Sequence, residues 1–313
     1  MIHLLSLTPA IDELLALDAL EVGQHYRARL VGRQAAGKAT NVARTLGHLG
    51  VPCRLVGLVG AGEAAFFRES FAELPVRCEL VAVPAVTRRS VTMLVGTEEA
   101  HVAYQSFAVS RAQLAQVRER LVAELQPGDL VAASGLQVPG LEPSALAELL
   151  TTARRAGARL YVDGAGPALA EAIAVHPDGV RINAAELGEW LELAGLDVGG
   201  RTEEGVRALL RAGVGTAMVS LGAEGAWLGR SAELLHAKLA VPGPAHAVGA
   251  GDAQLAGWLA ALASGAASLA EELQLAMGTA AARLRHQLPG VVVSAEAHGL
   301  AREVVIADGN ESR

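Results

Sequence analysis

Apolar runs of strand length alternate with segments of helical period almost to the end of the chain. Ile2–Leu7, Arg54–Val59, Arg77–Val83, Leu130–Ala133, Arg159–Val162, Val180–Ile182 and Thr216–Ser220 read as strands. Asn41–Leu49 places Val42, Leu46 and Leu49 on one face and reads as a helix. Glu63–Leu74, Ala112–Leu125 and Ser144–Ala156 read the same way, and helix-rich sequence runs from Gly251 to about His286. Repeated strand–helix units predict an α/β fold, a doubly wound and mainly parallel sheet flanked by helices.

Two stretches break this rhythm. Leu14–Arg33 and Arg88–Tyr104 look like extended hairpin segments, each following a core strand. Together they predict a small β-sheet lid standing off the main domain. The chain then divides into an α/β core of residues 1–13, 34–87 and 105–307, a lid of 14–33 and 88–104, and a polar, flexible tail of 308–313. Ala253–Ala270 carries no charge and approaches membrane length. It is mostly Ala and Gly and is interrupted at Ser264-Gly265, so it reads as a buried helix, a turn and a second helix. Residues 1–7 lack the basic region and cleavage site of a signal peptide.

Composition narrows the function classes. Hydrophobic residues make up 51% of the 313 but aromatics only 3%, which favours close-packed helices on a sheet over a β-sandwich. The net charge of −7 argues against a nucleic-acid surface. It leaves room for an anionic small molecule, which needs only a few local cations. Cys53 and Cys78 form no metal pattern and no disulfide framework, and they read as reduced thiols of a cytoplasmic protein.

Three glycine-rich loops compete for the chemistry. Gly32-Arg33-Gln34-Ala35-Ala36-Gly37-Lys38-Ala39 nearly matches the phosphate loop Gly-x-x-x-x-Gly-Lys-Ser/Thr. Ala39 has no hydroxyl for Mg²⁺, and Asp163, the acid that could complete such a site, lies far downstream. Gly60-Ala61-Gly62-Glu63-Ala64-Ala65 fits a dinucleotide fingerprint in context, but Glu63 puts a carboxylate where a pyrophosphate belongs. The loop therefore reads as a tight strand-to-helix turn. Val248-Gly249-Ala250-Gly251-Asp252-Ala253 enters the long apolar helix. Its small residues admit a ligand, and the helix start offers unpaired N–H groups to a phosphate. Asp252 there is also a good first-turn residue, so the loop alone stands between an anion site and a plain cap.

Accompanying motifs decide between them. Thr8-Pro9-Ala10-Ile11-Asp12, Gly37-Lys38-Ala39-Thr40-Asn41-Val42-Ala43-Arg44, Asn183-Ala184-Ala185-Glu186, Val219-Ser220-Leu221-Gly222-Ala223-Glu224-Gly225-Ala226 and Gly249–Asp252 occur in this order. Over Met1 to about Pro289 the chain resembles the PfkB, or ribokinase-like, carbohydrate kinases. It is most similar to the branch containing 1-phosphofructokinase and tagatose-6-phosphate kinase. The resemblance implies ATP-dependent phosphoryl transfer to a hydroxyl of a ketohexose phosphate, of the fructose 1-phosphate or tagatose 6-phosphate type. Asp252 would be the general base, with the amides of Gly249, Ala250 and Gly251 stabilising the transferring group. Asn183 and Glu186 would steer Mg²⁺ through water, and Asn183, Ser220, Gly222 and Gly225 would line the nucleotide side. Asp12 would hold sugar hydroxyls, with Gly37 and Asn41 beside it. Lys38 and Arg88 would meet the sugar's own phosphate, and Arg27 of the lid, a further candidate, reads first as an exposed charge. Arg88 and Arg89 alternate in face, so only one can point inward. A lid sheet with open edges also suggests a homodimer.

Several positions depart from that family's pattern. Ala36 and Ala39 replace glycines, and each methyl is expected to narrow the sugar side. His246-Ala247 replaces a pair ending in Thr, which removes a hydroxyl beside the loop and weighs against a monovalent-cation site. Arg181 stands where a lysine is usual, and the segment His101–Ser106 lacks the expected Asn and Gly. Two alternatives therefore stay open. One is a kinase-derived protein that binds a sugar phosphate or nucleotide without turnover. The other is a nucleoside kinase on the same fold.

Overall fold

The apolar run Ile2–Ser6 becomes β1, the strand at which the larger sheet reverses its order, in a computed structural model describing residues 1–96, 98–241 and 246–309. The chain leaves β1 for a smaller sheet through β2 (Ala10–Leu17) and β3 (Arg29–Ala36). It returns along α1 (Lys38–His48) to β4 (Cys53–Gly60), beside β1. Helix α2 (Ala64–Glu69) leads to the edge strand β5 (Val76–Val83). A second excursion, β6 (Arg88–Val95) and β7 (Glu98–Ala103), completes the smaller sheet.

From there α3 (Arg111–Val122) leads to β8 (Leu130–Ser134) on the other side of β1. The sheet then grows outward through α4 (Pro143–Arg155), β9 (Arg159–Asp163), α5 (Gly166–Ala174) and β10 (Gly179–Asn183). Next come α6 (Ala184–Leu193), α7 (Thr202–Arg211) and β11 (Thr216–Ser220). β12 (Ala226–Arg230) and β13 (Glu233–Lys238) follow as antiparallel strands. Helices α8 (Ala250–Ala263), α9 (Leu269–Arg283) and α10 (Ser294–Glu303) precede the edge strand β14 (Val305–Asp308).

The larger sheet has the order β14-β13-β12-β11-β10-β9-β8-β1-β4-β5. It is parallel from β11 to β5, as the alternating pattern predicts. The antiparallel flank was not legible, because its strands are short and joined by tight turns. Asp308, expected to open the tail, pairs instead with Leu235; the rest of that expectation, residues 310–313, lies outside the described residues. Glu63–Leu74 is not one helix. After Glu69 it continues in three-residue turns, and Pro75 bars further helix.

Two apolar layers cover the faces of this sheet. Leu55 and Val56 are neighbours in β4 and face opposite ways, as pleating requires. Leu55 joins Val42 and Leu46 of α1 with Leu255 and Leu259 of α8. Val56 joins Leu121, Leu149 and Leu160. Helix α8 is apolar all round because α1, α9 and the sheet enclose it. Its Trp258 packs edge-on against Tyr161, with centroids 5.4 Å apart, and its indole N–H donates to Glu272 at 2.9 Å. The interruption at Ser264 ends α8 as expected, and among the described residues no helix is long and apolar enough to cross a membrane.

The smaller sheet has the order β3-β2-β6-β7. Its first pair reaches from Ala10 to Ala36, beyond Leu14–Arg33, so Asp12 lies on it opposite Gln34.

Candidate active site

A parallel sheet gathers the C-terminal ends of its strands along one edge, and this chain places polar residues there. Ser134, Asp163, Asn183 and Ser220 are the last residues of β8, β9, β10 and β11. Arg181 lies on β10 in register with Asp163.

Asp252 is the centre of the arrangement. Gly249 caps α8 with φ 81°, a left-handed conformation that only glycine adopts freely, and so turns the chain into the helix. Asp252 follows in the first turn, 7% exposed, and its Oδ2 accepts from Asn41 Nδ2 at 2.8 Å. Burial raises its pKa, and the nearby Asp163 carboxylate raises it further. Asn41, Lys38 and Arg181 pull the other way, and the result is about 6.

Asp163 is a second, fully enclosed carboxylate. Oδ2 accepts from Ser134 Oγ at 2.6 Å and from Lys38 Nζ at 3.3 Å, and Oδ1 accepts from Arg181 Nη1 at 3.2 Å. Burial alone would raise its pKa, but the charges of Lys38 and Arg181 outweigh it and hold Asp163 ionised. In return Asp163, with Asp252 and Glu186, keeps the Lys38 ammonium above its ordinary pKa against the cost of burial.

Two cavities meet at this point. One, of about 420 Å³, is lined by Asp12, Lys38, Asn41, Arg88, Glu186 and Asp252 among others. Burial raises the pKa of Asp12, against a hydrogen bond from Ser90. Lys38 and Arg88 also line an adjoining recess that contains Thr8, Gln105, Ser106 and Gly135. The second cavity, of about 450 Å³, is bounded by Ser220, Gly222 and Gly225 and then by Leu239, Val241, Met277, Ala280 and Leu284. Gly251 and Arg181 belong to both.

The sequence-derived residues thus converge with few exceptions. Gly249, Gly251, Asp252, Asn183, Asp12, Gly37, Lys38, Asn41, Arg88 and Glu186 share the first cavity, while Ala250, Ser220, Gly222 and Gly225 share the second. Asn183 and Glu186 also form a reciprocal cap on α6: Asn183 Oδ1 accepts from Glu186 N at 2.9 Å and Glu186 Oε2 from Asn183 N at 2.8 Å. Arg27 is exposed in the β2–β3 connection and lines neither cavity. Arg89 turns away to Glu13, at 2.9 Å. Ala36 and Ala39, expected to narrow the site, line neither cavity. Both residues are buried in the core and neither has a positive φ.

The rival glycine loops are structural. Gly32 to Ala36 is strand β3, so no phosphate loop forms before Lys38. Gly60 N donates to Thr87 Oγ1, and Glu63 accepts from Thr87 N, which ties that turn to the start of β6. Four nearby residues received no site role from the sequence. Asp163 and His101 were read for other reasons; Ser90 and Arg283 were not read at all. Ser90 Oγ and His101 Nε2, 3.1 Å apart, face the first cavity. Arg283 is completely buried under Gly249, with its Nε and one terminal nitrogen unpaired among the described residues. His246, at the entry to the loop, meets Glu99 of β7 across 2.5 Å and so joins the smaller sheet to the loop that precedes α8.

An α/β fold with its polar constellation at the strand ends and a glycine turn aimed at a helix start defines a phosphate-handling enzyme. Residues 6–295 match the pfkB family of carbohydrate kinases, and the chain belongs to that family; it is a carbohydrate kinase and hence a phosphotransferase. It is 35% identical to a 1-phosphofructokinase of Rhodobacter capsulatus over 96% of each chain. It is 31% identical to a 1-phosphofructokinase of Xanthomonas campestris pv. campestris over 89% of each. Phosphofructokinase-2 from Escherichia coli, in a complex with potassium, shares the fold with a TM-score of 0.89 at 22% identity, over 96% of this chain and 98% of that one. A ribokinase from Thermotoga maritima shares it with a TM-score of 0.78 at 18% identity, over 96% and 99%.

Proposed function

We propose that this kinase transfers the γ-phosphoryl group of ATP to the 6-hydroxyl of fructose 1-phosphate. The carrying observation is Asp252, a buried carboxylate with its pKa lifted to about 6, in the wall of a charged cavity and next to Gly251, which that cavity shares with an aliphatic one. A base poised near neutrality suits proton abstraction from an alcohol. The names of the two bacterial relatives support the sugar phosphate.

In this reading Asp12 and Asn41 hold the sugar hydroxyls. Lys38 and Arg88 hold the 1-phosphate, where the first cavity opens into the recess they share with it. The triphosphate lies along Ser220 to Gly225, and the base sits among Leu239, Val241, Met277 and Leu284. The acceptor oxygen attacks the γ-phosphorus in line, its proton passes to Asp252, and ADP leaves. Amides of Gly249 to Gly251 receive the charge on the transferring group. Glu186 and Asn183 would hold Mg²⁺, which neutralises phosphate charge. The described residues contain no cluster of three carboxylate, His or Cys ligands. One carboxylate and one amide suit a hydrated ion that draws its other ligands from water and phosphate. Homodimerisation through the edges of the smaller sheet is part of the same proposal.

The test is ADP release with a panel of free and phosphorylated sugars and nucleosides, with Mg²⁺ present. Fructose 1-phosphate should give the highest kcat/KM. Asp252→Asn should lower kcat by about 10³-fold while leaving ATP affinity intact. Near wild-type turnover in that variant sinks the mechanism, and a nucleoside as best acceptor sinks the substrate.

A further inference from the structure

Two guanidinium groups lie against the loop that opens α8, and they are held in opposite ways. Arg181 packs beside Gly251, where a Cβ would stand 2.5 Å from Nη1 and 2.8 Å from Cζ. Its Nε donates to Gln254 Oε1 at 3.0 Å, Nη1 to Asp163 Oδ1 at 3.2 Å, and Nη2 to Ser220 Oγ at 2.9 Å. Arg283 packs beneath Gly249, where a Cβ would stand 3.5 Å from Nε. It is fully buried and lines neither cavity. Nη1 donates to the carbonyl of His286, while Nε and Nη2 have no partner among the described residues.

A cation at the end of α9, bonded to a carbonyl just past it, makes an ordinary helix cap. That accounts for Nη1 alone. Burying the rest of a guanidinium without partners is unfavourable, and an apolar side chain would fill the space with less loss. The charge persists nonetheless. Burial brings its pKa down to about 10, and the carboxylates of Asp252, Glu99 and Asp12 oppose that fall without bonding to it. A mobile monovalent cation could supply the same charge only through free carbonyl oxygens. Those of the segment whose Pro289 packs on Gly249 are already engaged. Leu284 O accepts from His246 N at 3.1 Å, and His286 O from Arg283 itself. Pro289 O accepts from Gln34 Nε2 at 2.6 Å, and Gly290 O from Thr45 Oγ1 at 3.2 Å.

We propose that Arg283 is a positioning residue, a built-in cation that supports the amides of Gly249 to Gly251 beneath the transferring phosphoryl group, in place of a bound monovalent ion. The inference rests on the kinase reading. Arg283 touches no substrate and acts through the turn above it. A fixed positive charge under Gly249 adds to the positive end of α8, in an interior where charge is weakly screened. The bond broken joins the γ-phosphorus to the β,γ-bridging oxygen, and the bond formed joins it to the acceptor oxygen. The proton goes to Asp252, and Arg283 stays charged throughout.

The experiment compares the wild type with Arg283→Met and Arg283→Lys, using MgATP and fructose 1-phosphate in potassium and in tetramethylammonium buffers. Wild-type kcat should agree within about 3-fold between the two buffers. Arg283→Met should lower kcat by at least about 30-fold, with both KM values within about 3-fold of wild type. The acid limb of its kcat should move to higher pH, because one cation fewer favours the ionised Asp252. Asp163, Lys38 and Arg181 also face that carboxylate and are the same in every variant. Arg283→Lys keeps the charge and should stay within about 10-fold of wild type. A larger loss of wild-type activity without potassium overturns the proposal, since a bound ion would then supply the charge. A smaller loss in Arg283→Met overturns it too, and so does a larger one in Arg283→Lys, which would leave Arg283 only a cap. If Arg283→Met does not fold, the buffer comparison and the lysine variant still decide. An inactive wild type sinks the kinase reading and this proposal with it, whereas an active wild type that needs potassium sinks this proposal alone.

Discussion

The two cavities that share Gly251 and Arg181 differ little in size and greatly in character. The first is walled by Asp12, Lys38, Arg88, His101 and Glu186, and three of these five come from the smaller sheet. The second has an aliphatic end formed by Leu239, Val241, Met277, Ala280 and Leu284, rooted in α9 and the segment after β13. One can select by charge and by closure, the other by apolar burial on fixed helices. If that contrast is real, substitutions should split the two Michaelis constants instead of moving both.

The largest separation is expected from Lys38→Ala, which should raise KM for fructose 1-phosphate by about 100-fold and that for ATP by less than about 3-fold. Equal shifts would break the comparison. Ala280→Leu partly fills the aliphatic end and should raise KM for ATP by about 10-fold, leaving the sugar phosphate unaffected. Steady-state kinetics with each substrate varied in turn measures both.

A smaller effect is read in stability. Unfolded, Asp252 titrates near 3.8; folded, near 6. Its ionised form is thus disfavoured by folding, at a cost fully present above the folded value and absent below the unfolded one. Asp252→Asn should stabilise the protein by about 1–3 kcal/mol at about pH 8. That is a few degrees in Tm, shrinking as pH falls toward about 4. A lower Tm for the variant at the higher pH would show that Asn41 and Lys38 compensate the charge fully. The smallest effect concerns the contact between His246 and Glu99. Glu99→Gln should raise ATP hydrolysis without acceptor by about 3-fold, because a loosened smaller sheet admits water. An unchanged blank rate would free that sheet from any sealing role.

What the sequence revealed follows the range of the interactions. Strand-length apolar runs and the turn into α8 are local, so the parallel sheet and Asp252 were legible. Asn183 and Glu186 were legible because a cap is also local. Asp163 was noticed only as a poor fit to another motif. A carboxylate at a strand end has no local signature, and Lys38 is 125 residues away. His246 and Glu99 are 147 residues apart, so their contact was equally hidden. The alanines at 36 and 39 misled for a related reason. Sequence shows that a methyl has been added but not which way it points.

The fit of Gly251 against Arg181 also constrains how this sequence can change over time. Gly251→Ala is closed to the protein while a guanidinium lies beneath it, although alanine is the better helix former. A thinner, flexible lysine at position 181 would open that path. The order of steps then matters: the exchange at 181 must come first, and reversing it afterwards would trap the chain. Two positions 70 residues apart in sequence therefore behave as one heritable unit, and libraries that vary either alone will record it as immutable.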